Sequence, residues 1–119
     1  MFLSGIIRKD GYEVRKELIY WRKANAIHNW LVENCQDGVD NCATYYVPRE
    51  MLEKLRDVCR AVVDGEVTGE EALPTRDGFF FGTTDYDEWY IESLKYTAEK
   101  ITEVLRDEEI TYFEYQSSW

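Results

Sequence analysis

The chain has 119 residues, of which 45% are apolar and 15% aromatic, and a formal charge of −10. That length suits one ordinary domain, able to bury roughly two-thirds of its unfolded surface and so to fold without metal or disulfide staples. Residues 1–63 carry ten basic against nine acidic side chains, whereas residues 64–119 carry four against fifteen. A field of that sign repels phosphates, which argues against direct nucleic-acid binding and suits a basic partner surface. The same acidity also serves to keep a small protein in solution.

Residues 2–7 form a short strand candidate, ended by Asp10-Gly11. From about residue 14 to residue 34 the spacing predicts a helix, with Leu18, Trp21, Ala24, Ile27, Leu31, Val32 and Cys35 on one broad face. Gln36-Asp37-Gly38 stops it. A loop over residues 39–47 ends in a β-prone run, Thr44-Tyr45-Tyr46-Val47. Pro48 then opens a second helix to about Val63, striped by Met51, Leu52, Leu55, Val58, Cys59 and Val62.

Residues 64–78 lack periodicity and read as a surface loop. Phe79-Phe80-Phe81 is a compact strand candidate before Gly82. Asp85 and Glu88 fit a capping box for a third helix striped by Ile91, Leu94, Ala98, Ile101 and Leu105. Residues 110–115 are rich enough in β-branched and aromatic side chains for a final strand. The expected fold is α+β, a single domain in which three amphipathic helices pack together with a small, short-stranded sheet on one side.

The three cysteines, Cys35, Cys42 and Cys59, are odd in number and lack a CxxC pair, against an oxidised framework. The apolar start is too short for a secretory signal, and no apolar run nears the roughly 20 residues of a membrane span. A cytoplasmic protein is the expectation, with no membrane association.

His28 is the only histidine and falls on the apolar face of the first helix. Such a histidine is more often a hydrogen-bonded core residue than a base, which would need a substrate beside it and a group to orient its ring. His28 and Cys35 lie seven residues apart. That is roughly 10 Å along a helix axis, too far to share one zinc with bonds of about 2 Å. Neither a metal nor a cofactor is therefore expected.

The carboxylates of Asp85, Asp87 and Glu88 are better explained by helix capping than by a cation site. The same carboxylates would repel a phosphate from the turn at Gly82-Thr83-Thr84. Trp21, Arg22 and Asn25 form a more suggestive group, since an aromatic beside Arg and Asn can stack on and hydrogen-bond a ring, although long cations also commonly flank a helix core. With His28, Tyr86 and Tyr90 they define a candidate ligand pocket. Trp119, at the end of the sequence, is expected to dock on the body or on a partner.

The segments YWRKANAIHNW (20–30), YYVPREMLEKL (45–55), LPTRDGFFFGTTDYDEWY (73–90) and YFEYQSSW (112–119) resemble a group of small proteins encoded by tailed bacteriophages and prophages. The resemblance spans residues 18–119 and brings no reaction and no catalytic residue with it. It implies a phage accessory protein made in the bacterial cytoplasm.

The leading functional expectation is a non-catalytic protein that binds a host or phage protein. Its acidic surface would include Glu99, Glu103 and Asp107. The alternative is a small-molecule binder, nucleotides included, using the Trp21/Arg22/Asn25/His28 pocket; a small hydrolase built on His28 comes third. Aromatic-rich surfaces pair readily with copies of themselves, so a homodimer is also considered.

Overall fold

The computed structural model describes residues 1–22, 24–76 and 85–117. Eight elements follow in order: β1 (Phe2–Lys9), β2 (Tyr12–Tyr20), α1 (Asn25–Cys35), β3 (Tyr45–Val47), α2 (Arg49–Val63), α3 (Gly69–Ala72), α4 (Glu88–Leu105) and β4 (Tyr112–Gln116). The fold is α+β, and its strands form one antiparallel sheet in the order β2-β1-β4-β3. The strand candidate at Phe79-Phe80-Phe81 and the residue Trp119 lie outside the described residues.

The largest departure from the sequence reading is at residues 14–20, expected as the first third of a helix and found within β2. Asp10 and Gly11 both have positive φ, 48° and 86°, the backbone that a two-residue hairpin turn demands. The turn folds β2 back on β1 over eight paired positions, so the backbone groups of this segment are spent on a ladder rather than on helical bonds. Helix α1 therefore starts only at Asn25, after Ala24.

The register shifts between Leu3 and Ser4, where Leu3 opposes Ile19 and Ser4 opposes Glu17. Leu18 is the extra residue of this bulge, and its side chain packs at Gly5. A Cβ at Gly5 would meet Leu18 Cδ1 at 2.8 Å and Ile110 Cγ2 at 3.1 Å, so only glycine fits without a shift.

One face of the sheet carries Leu3, Ile19, Val47, Phe113 and Tyr115 into the core, where they join Ile27 and Leu31 of α1, Leu52 and Leu55 of α2, and Leu94 and Ile101 of α4. Each of these side chains is almost fully buried, worth about 1.5–3 kcal/mol for an aliphatic or Phe side chain. Helices α2 and α4 pack along their stripes, as the sequence pattern anticipates. The opposite sheet face carries Ser4, Tyr46, Tyr112 and Glu114, with Arg15 2.6 Å from the Glu114 carboxylate.

The segment between α2 and α4, read as loop, contains the single turn α3. Thr68 caps it by accepting from the Glu71 N–H. Gly69 leaves space for the hydroxyl of Tyr90, which donates to the Leu73 carbonyl at 2.8 Å and ties this segment to α4.

Candidate functional site

A cleft of about 690 Å³ opens between residues 20–22 and 24–26, at the passage from β2 into α1, and the first three turns of α4. Its buried wall is made by Trp21, Ala24, Ala26 and Tyr90. Trp21 is locked by its indole N–H, which donates to Thr97 Oγ1 at 2.8 Å, and by an edge-on approach to Tyr115. Tyr96 donates its hydroxyl to the Tyr20 carbonyl at 2.8 Å, joining the two walls.

The exposed edge of the cleft is aromatic and acidic. Trp89 is 81% exposed, and Tyr20 and Tyr96, both exposed, belong to the same lining. Trp89, Glu92, Ser93 and Tyr96 follow the i, i+3, i+4, i+7 spacing of one helix face, so α4 presents a carboxylate between two aromatics. Asp85 and Asp87 add two further acidic groups, and Arg22 is the cation among the described lining residues.

The N-terminal cap of α4 is Asp87, whose Oδ1 accepts from the Tyr90 N–H at 3.1 Å. The N-cap expected at Asp85 falls two residues later, because Glu88 is itself the first helical residue, and with Tyr90 three residues after the cap the expected capping box is replaced by a single cap bond. Asp87 thus holds the helix start with one carboxylate oxygen.

Of the six residues expected to form a pocket, Trp21, Arg22, Asn25 and Tyr90 line this cleft. Asn25, however, spends its amide on the chain: it donates to the Arg76 carbonyl at 3.0 Å and accepts from the Arg76 N–H at 2.8 Å. One turn later Asn29 donates to the Pro74 carbonyl at 3.0 Å, so the two amides grip the 74–76 segment together. Tyr86 supports the cleft from behind, 5.0 Å edge-on to Tyr90 and accepting from the Thr75 N–H.

His28 is not part of the cleft lining. It is fully buried and held at both ring nitrogens, with Tyr115 Oη 2.6 Å from Nδ1 and Asp40 Oδ1 3.0 Å from Nε2. Burial depresses the His28 pKa against the pull of Asp40, and burial raises the Tyr115 phenol well above its ordinary value. The arrangement has the outline of a relay, with His28 and Tyr115 in the core and the Asp40 carboxylate part-buried at its outer end, away from the cleft lining.

Neither the half-buried Cys35 nor the buried Cys59 offers an activated thiol: burial pushes the first up to about 11 and the second up to about 12. Among the described residues no group of three or more His, Cys, Asp or Glu side chains could hold a metal ion. None of the described helices is long and apolar enough to cross a membrane.

The acidic residues expected at a partner surface lie toward the other end of α4. Glu99 and Glu103 line a second hollow of about 420 Å³ between α2 and α4, where Arg60, Lys95 and Arg106 alternate with them. Asp107 lies past the end of the helix and accepts from the Glu109 N–H. The sequence reading missed Tyr20, Trp89, Glu92 and Tyr96 as cleft residues. The signal was available in the spacing of the last three, which falls off the buried stripe of α4.

No protein-family model matches the chain, and comparisons with curated proteins and with solved structures also return no match.

Proposed function

We propose that the chain is a non-catalytic accessory protein, of the kind encoded by tailed phages and prophages, that binds a protein partner through the aromatic and acidic cleft at the start of α4. The observation that carries this reading is Trp89, 81% exposed in the lining of a cleft that also holds the exposed rings of Tyr20 and Tyr96. Large aromatics held in water on a folded surface mark interaction sites, and Trp and Tyr supply most of the energy where partners meet. The charge supports a basic partner, since the described lining holds three carboxylates, Asp85, Asp87 and Glu92, and one cation, Arg22. A bacterial cytoplasmic setting goes with the phage reading.

A second reading keeps the same cleft for a small molecule. Its support is the volume of about 690 Å³, within the range of ligand pockets, and the buried wall of Trp21 and Tyr90. A hydrolase using His28 gains no support from a side chain buried and bonded at both nitrogens.

The test is affinity capture from lysate of the bacterial host, with the wild-type chain compared with Trp89→Ala and with a Glu99→Lys/Glu103→Lys double variant. The expected result is a captured protein that is lost with Trp89→Ala and retained by the double variant. Loss in the double variant alone would move the interface to the far end of α4. Equal capture by all three chains would overturn the reading.

A further inference from the structure

Among the described lining residues the cleft is asymmetric in charge: Asp85, Asp87 and Glu92 lie at and just before the start of α4, while Arg22 belongs to the opposite wall, between β2 and α1. An incoming cation is therefore drawn to α4 and kept from the opposite wall. On α4 the order is aromatic, carboxylate, aromatic. Trp89 and Tyr96 are seven residues apart, about 10 Å along the axis, with Glu92 between them.

We infer that the occupant of this cleft is the guanidinium of a partner arginine, stacked on Trp89 and paired with Glu92 and Asp87. The inference rests on the protein-binding reading above and specifies which side chain the partner supplies. A planar cation suits this wall for three reasons. A guanidinium stacks face-on upon an indole, where the ring's negative face attracts it. Its fork of N–H donors matches carboxylates, which the compact ammonium of lysine does not. And both carboxylates have capacity to spare: Asp87 uses Oδ1 for the helix cap, and Glu92 is engaged by Lys95 at 3.6 Å in an exposed pair that a better donor would displace. The indole N–H of Trp89 has no partner among the described residues and provides a direct reporter of occupancy.

The closing experiment titrates ¹⁵N-labelled protein with acetyl-Gly-Arg-Gly-amide and follows the Trp89 indole N–H by NMR. The same peptide with citrulline, which keeps the shape and removes the charge, and with lysine serve as controls. The expected result is a saturable shift of the Trp89 signal with the arginine peptide, weakened about three- to fivefold or more by citrulline and by Glu92→Gln, with lysine intermediate. An equal response to citrulline, or shifts that map away from the cleft, would overturn the assignment. If the arginine peptide leaves Trp89 unmoved while Trp89→Ala still abolishes partner capture, the arginine assignment falls and the protein-binding reading stands. If the peptide binds but capture ignores Trp89→Ala, the partner reading falls, and with it the claim that a partner supplies the arginine.

Discussion

His28 lies between a carboxylate that can only accept and a hydroxyl that can do either, and this fixes its tautomer. Ionised Asp40 takes the proton of Nε2, so in the neutral ring Nδ1 is the acceptor and the Tyr115 hydroxyl donates to it. Burial disfavours the protonated ring and the positively charged N-terminus adds to that effect, against the pull of Asp40. Replacing His28 with Leu strands the Tyr115 hydroxyl in the core and should cost roughly 1–3 kcal/mol by urea unfolding. Adding Tyr115→Phe should recover part of that loss, because the orphaned hydroxyl goes with it; purely additive costs would show that the two side chains are not coupled.

The pH dependence follows with a definite sign. The folded pKa lies below the unfolded value of about 6.5, so within that window the unfolded chain binds the extra proton. Stability should therefore fall as pH drops below about 6.5 and level off beneath the folded pKa. The wild-type advantage over His28→Gln should shrink from pH 7.5 to pH 5.5 in thermal melts, and an advantage unchanged across that range would refute the assignment. That His28 belongs to the core was legible in its place on the helix face. Its partners were not, because they lie 12 and 87 residues away and no local spacing signals them.

Helix α4 shows how an element's presence can be read when its first residue cannot. Asp85, Asp87 and Glu88 mark a helix start, but each acidic side chain there could accept from an N–H three residues on. The choice falls to tertiary contacts: Tyr90 must reach the Leu73 carbonyl and meet the edge of Tyr86, and capping by Asp87 accompanies that placement. Asp87→Ala should cost about 1 kcal/mol of stability, whereas Asp87→Ser should restore most of it, since a hydroxyl also accepts from the Tyr90 N–H. Equal losses for the two would mean that the charge, not the cap, is what the position supplies.

The hairpin teaches the opposite lesson. Asp10-Gly11 between two β-prone runs is among the strongest short-range turn signals, yet Leu18, Trp21 and Ala24 happen to continue the helical spacing of Ile27 and Leu31 backwards. Exposure at residues 12–17 explains the ambiguity, because a strand standing away from the core has no buried face to impose an alternating pattern.

At the scale of the whole molecule, the charge imbalance between the halves of the chain is partly undone in space. β4 lies between β1 and β3, and α4 packs on α2, so basic residues of the first half reach acidic or carbonyl groups of the second. Arg15 meets Glu114, Lys9 lies 3.5 Å from Glu109, and Arg49 donates to the carbonyl of Leu105, the last residue of α4, at 3.0 Å. The sequence shows the imbalance but not this interleaving, which depends on strand order. The ion pairs are mostly exposed and worth about 0–1 kcal/mol each, so they do not cancel the self-repulsion of a net charge of −10. Salt should then act on stability and on binding with opposite signs. Raising sodium chloride from about 10 mM to about 150 mM shortens the screening length from about 30 Å to about 8 Å, which relieves the repulsion and should raise Tm by about 1–3 °C. The same change should weaken capture of a basic partner, because the attraction that steers it to the cleft is screened as well. A Tm that falls with salt would make the surface pairs, rather than net repulsion, the dominant electrostatic term. Partner binding indifferent to salt would remove charge from the account of the cleft and leave the exposed aromatics to carry recognition alone.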